Sequence, residues 1–135
     1  MSFVQWKDEY SVRVPEIDRQ HRRLVDLINE LHDVMKSGSD AARLSCVVDQ
    51  LLAYTHYHFD FEERVMEHAH YPALDDHKRV HRAMMAQVKE FRNRVASSAA
   101  SLPIGLMNFL KNWLFKHILE TDMRYSAHVA GNQAA

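Results

Sequence analysis

Residues 44–65 read LSCVVDQLLAYTHYHFDFEERV, and in them Leu44, Val48, Leu51, Thr55, His58, Glu62 and Val65 recur at alternating intervals of four and three. That interval marks one face of an amphipathic helix. The face is apolar until it meets Thr55, His58 and Glu62. A buried imidazole or carboxylate without a partner costs roughly a few kcal/mol, so the interruption needs a partner.

The same interruption recurs along the chain. A first seam reads Ile17, His21, Leu24, Ile28, Leu31, Met35; a third reads Leu74, His77, His81, Met84, Val88, Phe91, Val95; a fourth reads Leu106, Leu110, Trp113, His117. Asp18 is placed as the N-cap of the first helix, which stops at Ser37-Gly38-Ser39. Asp40 is placed as the cap of the second, whose pattern fades after Glu67. Pro72 suits the first turn of the third, Ala96-Ser97-Ser98-Ala99-Ala100-Ser101 reads as a loop, and Pro103 opens the fourth. Short connections make neighbouring helices antiparallel, so the fold class is all-α, an up-down-up-down antiparallel four-helix bundle. In that topology the polar positions, near the start of the first and third helices and the end of the second and fourth, lie at one end. The expected organisation is a single domain over 1–135, with an N-terminal arm 1–17, a bundle of about 18–124 and a C-terminal tail of about 125–135.

Composition narrows the function. The formal net charge of -1 offers no field for nucleic acid, and Arg19, Arg22 and Arg23 read as a solvated helix face. The one cysteine, Cys46, excludes an internal disulfide, a Cys-rich zinc site and an attached c-type haem, and is placed as a small core residue. No stretch has the length of a membrane span and the start has no signal-peptide pattern, so a cytoplasmic protein is expected, with no membrane partner. A monomer is expected because no helix shows a second apolar stripe.

The donor set points to metal. Residues four apart on a helix converge on one side, as do His58 with Glu62 and His77 with His81. Asp122 lies five beyond His117, about 140° around an α-helix, so Thr121 would point inward better and Glu120 is a rival carboxylate, unless a π-bulge adjusts the turn. Five imidazoles and two carboxylates are too many for one ion and suit two ions sharing the carboxylates. Imidazole with carboxylate suits iron, copper, nickel or zinc, and the absence of thiolate removes the strongest pull toward structural zinc, so two irons are expected. A histidine-rich set leaves less negative charge to stabilise highly oxidised iron than carboxylate-rich di-iron enzymes have, which favours binding oxygen over cleaving it.

At these residues the chain resembles the hemerythrin family. The likeness runs from Trp6 and Ile17-Asp18-Arg19-Gln20-His21, through His58-Phe59-Asp60-Phe61-Glu62-Glu63 and His77-Lys78-Arg79-Val80-His81, to Trp113-Leu114-Phe115-Lys116-His117-Ile118-Leu119-Glu120-Thr121-Asp122. The resemblance implies two iron ions in an oxo- or hydroxo-bridged centre. His77, His81 and His117 would hold one, His21 and His58 the other, with Glu62 and Asp122 bridging. It thereby prefers Asp122 to Thr121 or Glu120. It also implies that dioxygen binds at the two-histidine iron, beside a pocket bordered by Leu114 and Ile118.

The remaining candidates read as structure. His32, His56, His68, His70 and His128 lie off the seams as solvated residues, and Glu63 points about 100° from Glu62 and reads as surface charge. Thr55 is placed to bond back to its own helix. Met84, Met85, Phe59, Phe61 and Trp113 read as packing. The expected function is reversible oxygen binding for storage, delivery or transport, with an oxygen-consuming enzyme as a recipient, and not catalysis. The alternatives are sensing through a partner protein, or a di-iron enzyme acting on peroxide or nitric oxide.

Overall fold

A computed structural model describes residues 4–37, 41–98, 104–122 and 124–126. Four helices follow one another, α1 (Pro15–Ser37), α2 (Ala41–His68), α3 (Leu74–Ser98) and α4 (Ile104–Lys116), and the last continues as a π turn over His117–Asp122. Helix α1 packs on α2 and on α4, and α2 packs on α3, which makes the four-helix bundle expected from the seams. No described helix is long and apolar enough to cross a membrane.

Helix ends differ from the sequence expectation in ways that local chemistry explains. Helix α1 starts at Pro15, whose fixed φ and missing N–H suit a first helical position. Asp18 therefore lies inside the first turn and is not its N-cap. Its carboxylate reaches back to the arm, accepting from the Val12 N–H at 2.8 Å and from Ser11 Oγ at 2.5 Å. Helix α2 closes by bonds from the Tyr71 N–H to the Met66 carbonyl and from the His70 N–H to the Glu67 carbonyl. His70 takes a left-handed φ of 56° there, the conformation that ends many helices. This closure extends to Tyr71, so Pro72 falls in the connecting turn and α3 starts two residues later. Helix α3 also runs on through Ala96-Ser97-Ser98, because a run without glycine or proline, opened by alanine, does not break a helix. Asp40, Gly38, Ser39, Pro103 and residues 99–101 lie outside the described residues.

The core is divided by a polar layer. The larger cluster holds Leu24, Ile28 and Leu31 of α1, Val48 and Leu51 of α2, Met84, Val88 and Phe91 of α3, and Leu110, Trp113 and Leu114 of α4. Each fully buried aliphatic side chain there contributes about 1.5–3 kcal/mol. A smaller cluster of Val12, Val14, Ile17, Met66, Ala69 and Tyr125 lies beyond the layer. Between the two come His21, His58, Glu62, His77, His81, His117 and Asp122, all buried. Cys46 is exposed, contrary to the core placement, because it lies two positions from Leu44 and Val48 and so points away from that face.

The start of the arm is fastened at two further points. Asn29 Nδ2 donates to the Val4 carbonyl at 2.8 Å while Asn29 Oδ1 accepts from the Val4 N–H at 2.7 Å. Trp6 then stands 5.5 Å from Tyr10, centroid to centroid, with the Arg22 guanidinium 5.3 Å over its ring. Arg22 thus works as a cation–π partner of the arm.

Candidate metal centre

All seven candidate ligands, His21, His58, Glu62, His77, His81, His117 and Asp122, come together. The five histidines point their Nε2 atoms inward at two carboxylates. His58 Nε2 lies 3.0 Å from Glu62 Oε1, with His81 Nε2 at 3.3 Å and His117 Nε2 at 3.5 Å from the same oxygen. Asp122 Oδ1 lies 2.9 Å from His117 Nε2 and 3.1 Å from His77 Nε2, and its Oδ2 lies 3.0 Å from His21 Nε2.

These donors form two overlapping groups. Glu62, His77, His81, His117 and Asp122 make one, and His21, His58, Glu62 and Asp122 make the other, with donor atoms in each within 4.8 Å of one another. Donors about 2.1 Å from a shared ion stand no more than about 4.2 Å apart, so each group needs only a slight contraction to hold a cation. The two groups share both carboxylates and no histidine.

The donor chemistry tests the fit. His21 Nε2, His58 Nε2, His77 Nε2, Glu62 Oε1 and both Asp122 oxygens are buried and close to one another, yet none of these contacts has the geometry of a hydrogen bond. So many orphaned polar atoms converging on one layer are unfavourable for a metal-free core and suited to a metal-loaded one. Charges respond in the same sense. Burial and Glu62 push Asp122 up, but His117 outweighs them and holds the carboxyl below the ordinary range. Burial likewise raises Glu62, yet His58, His117 and His81 bring it well below the ordinary carboxylate value. Burial lowers His117, but Asp122 and Glu62 outweigh it and the imidazole is pushed up to about 10. For His58 burial wins, and it is lowered despite Glu62. Bound cations would take the place of the protons that the carboxylates attract.

The π turn places Asp122. Its hydrogen bonds skip five residues, so residue 122 returns to the face of residue 117, which α-helical spacing denies it. The side chains of Glu120 and Thr121 lie outside the described residues. Periodicity had no means of finding the turn.

Three further residues support the layer and escaped the sequence reading. Gln20 Oε1 faces His58 Nδ1 at 2.7 Å. Glu63 Oε2 faces His81 Nδ1 at 2.7 Å, so it is not simply surface charge: its long side chain crosses from α2 to α3. Tyr125, three beyond Asp122 in the segment expected to be tail, is fully buried and donates its hydroxyl to Glu62 Oε2 at 2.5 Å. Ser126 Oγ donates to the Val12 carbonyl at 2.6 Å and ties this segment to the arm. Only the Glu-Glu doublet and the aromatic residue after the seam were visible as signals.

The other expectations fall as follows. Thr55 Oγ1 donates to the Leu51 carbonyl at 2.7 Å, the back-bond expected of it. Phe59 packs flat on His81, with centroids 3.8 Å apart and planes 3° off parallel. Leu114 and Ile118 are buried on the turns flanking His117. His56, His68 and His70 are exposed, His32 is half-buried, and His128 lies outside the described residues.

Comparison with known proteins agrees with this geometry. The family model described as the hemerythrin HHE cation binding domain matches residues 12–129. A bacteriohemerythrin of Stenotrophomonas maltophilia is 36% identical over 129 residues, covering 96% of this chain and 83% of that protein. One from Pseudomonas aeruginosa is 36% identical over 125 residues, covering 93% and 80%, and the myohemerythrin of Riftia pachyptila is 28% identical, covering 92% of each. A crystal structure of wild-type hemerythrin superposes with a TM-score of 0.87 at 24% identity, covering 96% of this chain and 99% of its own, and shares the fold.

Proposed function

The chain belongs to the hemerythrin family, and on that premise we propose that it reversibly binds dioxygen at a non-haem di-iron centre. His77, His81 and His117 would hold one iron and His21 and His58 the other, with Glu62 and Asp122 between them. The observation that carries this reading is the overlap of two donor groups in two carboxylates alone, with three histidines on one side and two on the other. The side with fewer protein donors is the one with room for a further ligand. When bound, two ferrous ions supply the two electrons that reversible oxygen binding draws on.

The chain's own residues set the conditions. Tyr125 holds Glu62 by a buried hydrogen bond. Leu114 and Ile118 are buried beside His117, and as an apolar wall they would slow the entry of water and anions that promotes loss of the reduced state. An apolar pair at that place favours a carrier over an enzyme consuming peroxide or nitric oxide, which would use an acid or base there. As part of this reading the protein is a cytoplasmic monomer serving storage, delivery or transport, with an oxygen-consuming enzyme as recipient; a dimer in sedimentation would remove the monomer.

Metal analysis with absorption spectroscopy tests the central claim. The reduced protein should contain two irons per chain and develop a charge-transfer band that is gained with oxygen and lost on its removal. A single metal per chain, or a band that never reverses, overturns it.

A further inference from the structure

Every proposed metal-binding histidine has an outer nitrogen, and the outer partners of His58 and His81 differ in charge. His58 Nδ1 meets an amide, Gln20 Oε1, at 2.7 Å; His81 Nδ1 meets a carboxylate, Glu63 Oε2, at the same distance. Gln20 cannot easily turn its amide over, because its Nε2 donates to Glu16 Oε1 at 3.3 Å. Both oxygens are acceptors, so both require the hydrogen on Nδ1 and leave the Nε2 lone pair directed inward. Orientation is therefore common to the two histidines, and negative charge is not.

His81 is held from two directions. Phe59 lies flat against its ring and Glu63 fixes its edge. Glu63 is a quarter exposed, at a groove of about 400 Å³ between α2 and α3 that Arg82 and Lys89 also line. Its replacement therefore changes a solvent-reached position, and the group that loses a partner is the buried His81 Nδ1.

We propose that Glu63 is a positioning residue that fixes the His81 ring and strengthens metal binding at the three-histidine group, while Gln20 only orients the ring at the two-histidine group. A carboxylate on the outer nitrogen makes an imidazole a stronger donor and locks its tautomer. The inference rests on the reading of His81 as a metal ligand, and it makes the two groups unequal by design of their outer partners as well as by ligand count.

The test is cobalt(II) titration of the full chain after metal removal, followed by visible absorption, with nitrogen NMR of the histidines in the metal-free chain. Wild type should take two cobalt ions, with His81 in the Nδ1–H form. Glu63→Leu removes acceptor and charge and should weaken one of the two sites about 10- to 100-fold, with mixed His81 tautomers. Glu63→Gln keeps an acceptor and should weaken the same site by less, with the tautomer retained. Gln20→Leu should weaken the other site. Two cobalt ions bound at wild-type affinity by Glu63→Leu and Glu63→Gln, or equal weakening of both sites, overturns the inference and leaves the metal centre standing. A wild-type chain that takes up no cobalt overturns both.

Discussion

Replacing Tyr125 with Phe removes one atom and isolates one interaction. The Tyr125 hydroxyl donates to Glu62 Oε2 at 2.5 Å, both groups are fully buried, and the ring lies among Val12, Val14, Ile17 and Met66. Because the ring stays, no cavity of consequence opens, and the loss is that of a hydrogen bond to a charged group, about 1.5–3 kcal/mol. No neighbour takes over: His21 Nε2, the imidazole facing that oxygen, is 3.9 Å away. Burial first, then Glu62 and Asp122, raise the Tyr125 phenol well above its ordinary value, so the donor stays protonated at any ordinary pH. Urea unfolding of the metal-free protein near neutral pH should therefore show a loss of about 2 kcal/mol with an unchanged slope. The loss should shrink in the metal-loaded protein, where a cation also partners Glu62. A metal-free Tyr125→Phe chain within about 0.5 kcal/mol of wild type, the range of an inert substitution, would refute the account of how Glu62 is held.

Three other outcomes follow from the geometry. In the metal-free chain His117 is raised to about 10 against roughly 6.5 when unfolded, so its stabilising contribution is full below that lower value and should drain away as pH climbs toward 10, while metal uptake tightens over the same interval. A pH-independent urea midpoint and metal affinity across that interval would contradict it; Glu62 and Asp122, held low, act oppositely and contribute above about pH 4, losing that contribution on acidification. Leu114→Ala should cost about 2–5 kcal/mol as a core truncation, retain iron and speed autoxidation, and an unchanged autoxidation rate removes Leu114 from the proposed pocket wall. Asp18→Ala strands the Val12 N–H and should cost about 1–3 kcal/mol, with faster hydrogen exchange at Val12; unaltered exchange there would show that the arm is held by other contacts.

The seams were legible because burial on a helix imposes a period, and a polar residue that breaks the period is conspicuous. His21, His58, Glu62, His77, His81 and His117 all obey it, so the level of the centre follows from topology. Asp122 does not obey it, since a π turn changes the period within one turn and leaves no compositional mark; the family likeness supplied the choice. Glu63 and Gln20 were missed for a different reason. Their backbone positions lie off the seam, but each side chain spans the gap to the next helix, and periodicity describes where a side chain starts and not where its end arrives. Helix ends were misplaced where a residue with two uses, Asp18 or Pro72, was assigned the commoner one. Cys46 was placed by residue type against its own position in the repeat.

A π turn carries one residue more than an ordinary helix needs to complete its circuit, and at His117–Asp122 that surplus makes changes of length unequal. Losing one residue between them would let the turn relax to α-helical geometry with the carboxylate four places after the histidine, about 40° away and still on the inner side. Gaining one would carry the carboxylate off that side altogether. A chain shortened by one residue here should therefore keep its donors together, and a chain lengthened by one should not.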